Sequence, residues 1–498
     1  MYQHSTAKVK LLNKLSEKID VLVGTEQGHP MSPEFFKIFI RDLSEMLEIP
    51  CNVPLIDTLR ISHLLWADDL VLTALDQKSL QSLLDQLNNF CELWGLSVNL
   101  DKTKVMIFNK SGKLTKLDVP LTLGEIILDQ SKTYCYLGIH FNLCGTFTVA
   151  MSENRKKALR AYFSLKRSIN IQVLSFKAVC ILYDALIRPI LTYGCEVWLP
   201  HTKLFHVLLS NMSPNSSLKL IALDPFEKFH IQFIKWTLGV HKKASNLGCW
   251  GDSGRYPIGI TALKQLLDYD QRLEIQANQN TLVAASYRDQ KNLQLDWFKS
   301  ISDLRKKFSE NAHIEYSSTR LIKSIRKTFD DLWYNESRNQ TKLTFYASLK
   351  TKFICENYLS ITNNAHRKGI TRLRISAHKL GIEIGRYSNK PPHQKRLDQR
   401  CKFCLPQDNT STDATNEPPF PNLIIEDEMH FLADCPSYSH ICERLSDNLS
   451  LKIKNNDLTQ VFESIELTRE LSKYIFFVTK HRDQLLKPTP NLIHQMSS

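Results

Sequence analysis

The stretch from Leu64 to Leu72 limits most strongly what this chain can fold into, because two adjacent carboxylates stand between two apolar runs. Its sequence is Leu-Leu-Trp-Ala-Asp-Asp-Leu-Val-Leu, and such short apolar runs are typical of buried strands. A buried strand does not hold two unpaired carboxylates, and consecutive strand residues point to opposite faces of a sheet. A tight hairpin at residues 67–69 removes both conflicts, since it carries Asp68 and Asp69 to the end of the strands.

At the end of a sheet the two carboxylates become a candidate cation site. Hard divalent cations such as Mg²⁺ take oxygen ligands and keep coordination positions open for substrate phosphates. A pair of such ions stabilises the attacking and leaving oxygens of an in-line phosphoryl transfer. The alternative is a solvated turn, which is the commoner role of an Asp-Asp pair. The flanking strands alone leave these two interpretations about even.

Two further motifs flank the hairpin. Residues 24–36 read Gly-Thr-Glu-Gln-Gly-His-Pro-Met-Ser-Pro-Glu-Phe-Phe, and residues 95–104 read Gly-Leu-Ser-Val-Asn-Leu-Asp-Lys-Thr-Lys. In this order the three motifs resemble the Q-G-x-P-x-S-P, A-D-D and G-L-x-x-N-x-x-K-T blocks of reverse transcriptases from non-LTR (LINE-like) retrotransposons. Each block is weak alone, whereas the ordered set is highly specific, and the likeness continues to the C-terminal cysteines.

The resemblance implies an RNA-directed DNA polymerase that uses Mg²⁺ or Mn²⁺, with Asp68 and Asp69 as catalytic metal ligands. It assigns Gln27 and Gly28 to contacts with template and incoming nucleotide, and a glycine lets the backbone approach a ligand closely. It offers Lys102 for the triphosphate or for proton transfer, with an exposed lysine at a strand edge as an equally favoured alternative. The implied partners are an RNA template, a DNA primer or target, and deoxynucleoside triphosphates.

A second set of metal-ligand residues forms a C-x2-C-x25-H-x4-C pattern, made by Cys401, Cys404, His430 and Cys435. Zinc prefers tetrahedral Cys and His ligands, and a C-x2-C turn presents two thiolates from one corner. The long insert is acceptable because each doubling of a loop costs only about 0.6 kcal/mol. The pattern predicts a structural zinc site over chance proximity of cysteines, with Cys442 as the spare ligand. The same family carries a C-terminal Cys-Cys-His-Cys knuckle at this place.

The periodicity of apolar residues predicts an α+β fold. Strands are predicted over residues 16–23 and 98–108, and one helix is predicted to start with Ser32 as its cap and Pro33 in its first turn. A second amphipathic helix over residues 80–94 is predicted to end at Gly95. Strands and helices around the acidic hairpin are consistent with a partial polymerase palm, an antiparallel sheet with packed helices. The predicted domains are a partial palm (1–145), a thumb-like helical region (146–245), a helical connection (246–396), the zinc knuckle (397–445) and a helical tail (446–498).

Charge adds support for a nucleic-acid partner. The 498 residues carry a formal net charge of +13, and such an excess favours a polyanion. The predicted helix over residues 152–168 mixes cations with Tyr162 and Phe163, a pattern that suits a nucleic-acid groove, with a solvated basic face at about equal odds. Its cations are Arg155, Lys156, Lys157, Arg160, Lys166 and Arg167. A second basic cluster at residues 372–386 is interpreted as a solvated face, with RNA contact as the alternative.

The sequence predicts neither secretion nor a membrane. Residues 1–18 are polar and Lys-rich, and the longest apolar region, residues 173–199, is interrupted by charges. Without a secretory signal, the twelve cysteines are expected to be thiols or metal ligands. The resemblance implies a location in the nucleus, with a cytoplasmic ribonucleoprotein as the alternative.

Polymerases of this family use three carboxylates, and residues 1–23 contain Glu17 and Asp20 but no motif that matches the first. The template-gripping fingers and the family's endonuclease domain have no counterpart either, so the chain is expected to be the C-terminal part of an element protein. We therefore expect this polypeptide alone to lack polymerase activity. Two other functions are alternatives: a non-catalytic nucleic-acid-binding protein that uses the thumb and knuckle, and an unexpressed relic.

Overall fold

The computed structural model describes residues 6–21, 24, 28–47, 49, 52–170, 173–210, 217–308, 317–404 and 423–486. The chain divides into two compact units. Unit 1 comprises Met1–Met151 and Leu273–Phe298, and unit 2 comprises Ser152–Arg272 and Lys299–Ser498. Helices and small antiparallel sheets together confirm the predicted α+β class. The domain boundaries predicted at residues 245, 396 and 445 stay predictions.

The strands are β1 (Thr6–Ala7), β2 (Lys10–Leu11), β3 (Lys14–Leu15), β4 (Ile19–Asp20), β5 (Leu55–Ile56), β6 (Leu59–Arg60), β7 (His63–Trp66), β8 (Asp69–Leu72), β9 (Thr122–Leu123), β10 (Ile126–Ile127), β11 (Thr133–Tyr136) and β12 (Ile139–Asn142). The helices up to residue 292 are α1 (Ser32–Met46), α2 (Gln77–Trp94), α3 (Thr148–Ser168), α4 (Phe176–Leu186), α5 (Arg188–Leu191), α6 (Cys195–Trp198), α7 (Lys203–Leu209), α8 (Ser217–Leu223), α9 (Pro225–Leu238), α10 (Asn246–Ser253), α11 (Ile258–Gln276) and α12 (Leu282–Asn292). The helices that follow are α13 (Asp296–Phe308), α14 (Ser318–Arg338), α15 (Thr344–Leu349), α16 (Asn364–Arg374), α17 (Gly381–Arg386), α18 (Pro392–Asp398), α19 (Ser439–Cys442), α20 (Asp447–Lys454), α21 (Leu458–Glu463) and α22 (Ile465–Leu485).

Within the described residues, the strands pair only as two-stranded antiparallel ladders: β1–β4, β2–β3, β5–β6, β7–β8, β9–β10 and β11–β12. The expected palm sheet is therefore reduced to separate hairpins. The strand predicted over residues 98–108 is wrong, because the Asn99 carbonyl accepts hydrogen bonds from the Lys102 and Thr103 amides and closes a turn there. Only Val105 pairs, in a parallel bridge with Gln130. The strand predicted over residues 16–23 is reduced to Ile19–Asp20 among the described residues.

Helix α2 organises the core of unit 1. It begins where the Asp76 side chain accepts a hydrogen bond from the Ser79 amide, and it ends as predicted at Gly95, which is left-handed at φ +62°. Its apolar stripe supplies four of the ten buried residues of one cluster, against which Leu70 and Leu72 of β8 pack. The buried members of this cluster are Leu43, Leu47, Leu83, Leu84, Leu87, Phe90, Val105, Leu121, Leu123 and Leu128.

Helix α1 is present, but the prediction that Ser32 caps it is wrong. Met31 is the N-cap, and Ser32 is the first helical residue and is buried. The turn closes one residue early because the His29 ring accepts a hydrogen bond from the Met31 amide (3.2 Å), and the His29 carbonyl accepts one from the Ser32 amide (3.1 Å). Pro33 lies in the first turn as expected, where its missing N–H costs nothing.

Unit 2 is helical in the residues described and contains a buried ionic network. Arg374, which is fully buried, donates two hydrogen bonds of 3.2 Å to Asp252 and lies 3.2 Å from a Glu356 oxygen. Tyr358 donates to the same aspartate at 2.6 Å. The interpretation of residues 372–386 as a solvated face is therefore wrong for Arg374, because desolvated charges need partners and this arginine has two.

No single described helix is long and apolar enough to cross a membrane. One bent pair, Phe176–Leu191 with Cys195–His201, passes that test by length and composition, as the core helices of soluble proteins also do.

Candidate metal centres

The acidic hairpin, which comprises β7, the loop Ala67-Asp68 and β8, has the predicted form. Its strands pair antiparallel, with Trp66 opposite Asp69. Ala67 has a positive φ of +52° and Asp68 does not, which is the pattern of a type II′ turn that joins twisted strands. Both aspartates are exposed, Asp68 in the loop and Asp69 at the first position of β8. Their charges therefore stay in water, as the cost of burial requires.

A second hairpin, formed by β11 and β12 with the loop Leu137-Gly138, lies close to the first. Leu137 and Gly138 have φ of +46° and +80°, so this two-residue loop between β11 and β12 follows the type I′ pattern. Burial, and then the negative charge of Asp69, raises the pKa of the Tyr136 phenol. The structure thus brings Tyr136 within electrostatic range of one predicted metal ligand. Sequence reasoning gave this residue no role at the site, because Tyr136 lies 67 positions after Asp69 and no local spacing links the two.

The predicted nucleotide-binding residues are only partly described. Gln27 lies outside the described residues, and nothing follows about its position. Gly28 has φ +88°, and no atom of the described residues lies within 4 Å of the place where a Cβ would be, so the backbone conformation favours glycine there. Lys102 is exposed and lies in the Asn99 turn, where its amide donates to the Asn99 side chain at 3.2 Å. It is therefore not the strand-edge lysine of the alternative interpretation.

Among the described residues, the acidic hairpin offers two carboxylates as ligands for a cation. Among the described residues, no third His, Cys, Asp or Glu side chain converges with Asp68 and Asp69 closely enough to share one ion. Two exposed carboxylates fit Mg²⁺, which is bound by one or two carboxylates and completes its octahedron with waters and substrate phosphates. They do not make a closed site.

The Cys/His cluster, which comprises Cys401, Cys404, His430 and Cys435, is assembled as its spacing predicts. The four ligand atoms all lie within 4.8 Å of one another. The Sγ of Cys435 lies 3.9 Å from that of Cys401 and 3.7 Å from that of Cys404, and the Cys404 Sγ lies 3.4 Å from the His430 Nε2. In a tetrahedral zinc site with Zn–S bonds of about 2.3 Å, neighbouring sulfurs lie about 3.8 Å apart. The cluster fits such an ion without rearrangement.

Backbone hydrogen bonds hold the two halves of this cluster together. The Cys401 amide donates to the Ile424 carbonyl at 2.8 Å, beside an antiparallel bridge between Arg400 and Ile425. The chain then turns into a short π-helix, His430–Asp434, whose first amide donates to the Asp427 carboxylate at 2.8 Å. Single π-turns of this kind occur frequently at functional sites. This one places His430 opposite the C-x2-C turn.

Two buried acids just before His430 anchor the cluster to the surrounding helices. Glu426 accepts two hydrogen bonds from Arg482 of α22, at 2.6 and 2.8 Å, and one from the Gly381 amide at 2.7 Å. Glu428 accepts from Ser376 and pairs with His378, each at 2.9 Å. Sequence reasoning missed both glutamates, since nothing in a local pattern shows that an acid will be buried against an arginine 56 residues later.

Hydrogen bonding within the cluster favours a thiolate. The pKa of the Cys401 thiol is lowered to about 3, chiefly because the Cys435 thiol donates a hydrogen bond to it. A metal ion binds thiolates and displaces the protons that such thiols share. Cys442, the spare ligand, lies elsewhere: its Sγ is 2.8 Å from the hydroxyl of Tyr474, which donates to the Leu432 carbonyl. Cys435 therefore occupies the fourth position.

Helix α3 presents the predicted basic face, with one change. Tyr162 points inward, where its ring packs edge-on against Phe229 and Trp236 at 5.7 and 5.6 Å between centroids. Phe163 is 47% exposed among cations, so it is the aromatic ring that a base could stack on. The exposed cations of this face are Arg155, Lys156, Arg160, Lys166 and Arg167.

Comparison with known proteins agrees with the hairpin motifs. Residues 3–141 match the reverse transcriptase (RNA-dependent DNA polymerase) family. The chain is 29% identical over 138 residues, 28% of its length, to an uncharacterized transposon-derived protein of Caenorhabditis elegans. It is 27% identical over 160 residues, 30% of its length, to the retrovirus-related Pol polyprotein of the type-1 retrotransposable element R2 of Nasonia vitripennis. The chain spans 49% and 15% of these two relatives. Residues 3–141, the segment that contains the acidic hairpin, are therefore similar to reverse transcriptases.

Proposed function

We propose that this chain belongs to the RNA-directed DNA polymerase of a non-LTR retrotransposon, and that the acidic hairpin is its metal-dependent nucleotidyl-transfer site. The observation that carries the proposal is the pair of exposed carboxylates, Asp68 and Asp69, at the tip of a hairpin inside the segment that is similar to reverse transcriptases. An RNA template, a DNA primer or target and deoxynucleoside triphosphates would be its substrates.

Mg²⁺ or Mn²⁺ would be held by Asp68 and Asp69, and it would supply electrostatic stabilisation of the charge that develops on the transferred phosphoryl group. Asp68 and Asp69 contribute ligand oxygens and keep the remaining positions open to phosphate and water. Gly28 supports a turn whose open side leaves room for a ligand beside the backbone. Lys102, which is exposed in its turn, provides a mobile cation for the triphosphate.

We propose that the Cys/His cluster binds one structural zinc ion. Three thiolates and an imidazole are ligands that zinc prefers, and four protein ligands leave no open position for catalysis. Buried Glu426 and Glu428 hold the backbone just before His430, and the hydrogen bond from the Cys401 amide to the Ile424 carbonyl joins that segment to the C-x2-C turn. The ion would hold the knuckle as part of a nucleic-acid-binding surface.

A non-catalytic nucleic-acid-binding function is the second candidate. The exposed cationic face of α3, with Phe163 among its cations, favours it because phosphate contacts and base stacking need no metal. Either function has nucleic acid as its partner, which supports a nuclear location or a cytoplasmic ribonucleoprotein.

Primer extension on an RNA template with Mg²⁺ tests the polymerase proposal, and filter binding of the same primer–template at several salt concentrations tests nucleic-acid binding. The acidic hairpin holds two carboxylates, and among the described residues no third ligand lies beside them, so we expect the purified chain to bind nucleic acid but not to extend the primer. Extension that is abolished by Asp68→Asn would show a complete active site and overturn the expectation of inactivity. Binding that persists both in high salt and in an Arg155→Gln/Arg160→Gln variant would contradict the proposed surface on α3.

A further inference from the structure

The β5–β6 hairpin comes directly before the acidic hairpin and shares its base. The Ile61 amide, between the two hairpins, donates to the Pro54 carbonyl at 2.8 Å. Thr73, which follows β8, donates twice to the connection: its amide to the Ser62 carbonyl at 2.7 Å and its hydroxyl to the Ile61 carbonyl at 2.6 Å. The two ends of the acidic hairpin are therefore tied to each other, and the connection at Ile61 is tied to Pro54 at the start of the β5–β6 hairpin.

The tip of the β5–β6 hairpin is held by a helix 232 residues further along the chain. The Asp57 amide donates to the Asp289 carboxylate of α12 at 2.6 Å. The guanidinium of Arg288, from the same helix, contacts the Asp57 carboxylate through Nε at 2.8 Å and through a terminal nitrogen at 2.7 Å. The side chains of Arg288 and Asp57 are 31% and 25% exposed, so water only partly screens the pair.

Arg288 also ties its own segment in place. Its remaining terminal nitrogen donates to the carbonyls of Ala277 and Gln279 at 2.7 and 3.1 Å. The neighbouring Tyr287 is buried, and its ring packs edge-on against Phe298 at 5.9 Å. Residues 273–298 thus form a small rigid brace within unit 1, although the sequence assigned them to the helical connection.

We propose that Arg288 and Asp289 are positioning residues for the acidic hairpin, which they support through Asp57 and the base that the two hairpins share. This inference rests on the proposed function of Asp68 and Asp69 as metal ligands. Exposed carboxylates on a short hairpin bind an ion well only when the hairpin is held still, and groups that orient ligands from outside the site commonly change metal affinity.

Hydrogen exchange of the full chain, measured by mass spectrometry, tests whether α12 limits opening of the acidic hairpin. Arg288→Met removes the guanidinium contacts, and Lys291→Met removes a charge from an exposed position of the same helix as the matched control. We expect exchange of residues 63–75 to speed up about tenfold in Arg288→Met, because hydrogen bonds to charged groups that limit local opening are lost. Equal exchange of these residues in Arg288→Met and Lys291→Met would overturn the proposal.

Mn²⁺ binding, followed by electron paramagnetic resonance, tests the link to the site. Asp68→Asn identifies the signal of the hairpin ion, and we expect Arg288→Met and Asp289→Ala to weaken that binding about tenfold while Lys291→Met leaves it unchanged. Unchanged Mn²⁺ affinity in Arg288→Met and Asp289→Ala would overturn the positioning role. If the unaltered chain shows no signal that Asp68→Asn removes, the proposed metal site fails, and the exchange of residues 63–75 still decides whether α12 supports the hairpin.

Discussion

The acidic hairpin and the Cys/His cluster are both candidate metal centres, and they differ in how completely the protein builds them. The hairpin offers two exposed carboxylates with no further ligand near them among the described residues. The cluster offers four ligands within 4.8 Å of one another, three of them buried, and braces them with buried glutamates. An open site leaves coordination positions for the substrate, whereas a closed site, filled by protein ligands, makes metal binding part of the free energy of folding.

The largest effect should follow removal of a cluster ligand. Cys404→Ser should abolish stoichiometric zinc binding and destabilise the region around residues 399–435, since structural zinc contributes on the order of 10 kcal/mol of apparent binding energy in small domains. Zinc content by plasma emission spectrometry and thermal unfolding measure the two effects. Cys442→Ser is the control, because its thiol lies beside Tyr474 and outside the cluster. Equal zinc content in Cys404→Ser and Cys442→Ser would show that the cluster does not hold the ion.

The next largest effect should follow removal of the Arg482–Glu426 ion pair beside the cluster. Arg482→Met leaves Glu426 buried without its charged partner, and breaking a buried pair in this way costs about 3–5 kcal/mol. Urea unfolding of this variant, compared with Arg469→Met at an exposed position of the same helix, measures the cost. A loss of stability no larger than that of Arg469→Met would mean that the cluster does not depend on the Arg482–Glu426 pair.

The buried acids of unit 2 should also give it a pH dependence. Burial raises the pKa of Glu227 to about 8, although hydrogen bonds from the Ile258 amide and the Trp250 indole oppose the shift. The folded state then binds a proton that the unfolded state has released above its ordinary value of 4.5, so stability falls as pH rises from about 4.5 to about 8, by at most about 1.4 kcal/mol per pH unit. Glu227→Gln should flatten that slope in urea unfolding at several pH values. The same slope in both proteins would contradict the assignment.

The smallest effect on stability should come from the hairpin itself. Asp68→Asn changes an exposed loop side chain and should shift the free energy of unfolding by no more than about 0.5 kcal/mol. The same substitution should remove Mn²⁺ binding at the hairpin, which isothermal titration calorimetry detects. A large loss of stability without loss of Mn²⁺ binding would reverse the contrast between the open and the closed site.

The two centres were also predictable to different degrees. Local spacing was enough to predict the candidate metal ligands, because a hairpin tip and a C-x2-C turn are short-range structures. These ligands are Asp68, Asp69, Cys401, Cys404, His430 and Cys435. The supporting residues were not predictable, because Tyr136, Glu426 and Arg288 act through partners far away in the sequence. The strand predicted over residues 98–108 failed for a related reason: its apolar alternation suits a strand, but the Asn99 turn competes with it locally.

The most direct test of a metal site in the acidic hairpin is anomalous X-ray scattering from a crystal of the full chain soaked in Mn²⁺. We predict an anomalous peak from Mn²⁺ within about 2.1 Å of carboxylate oxygens of Asp68 and Asp69. Occupied Mn²⁺ positions elsewhere, with density for both aspartates and no peak beside them, would contradict it.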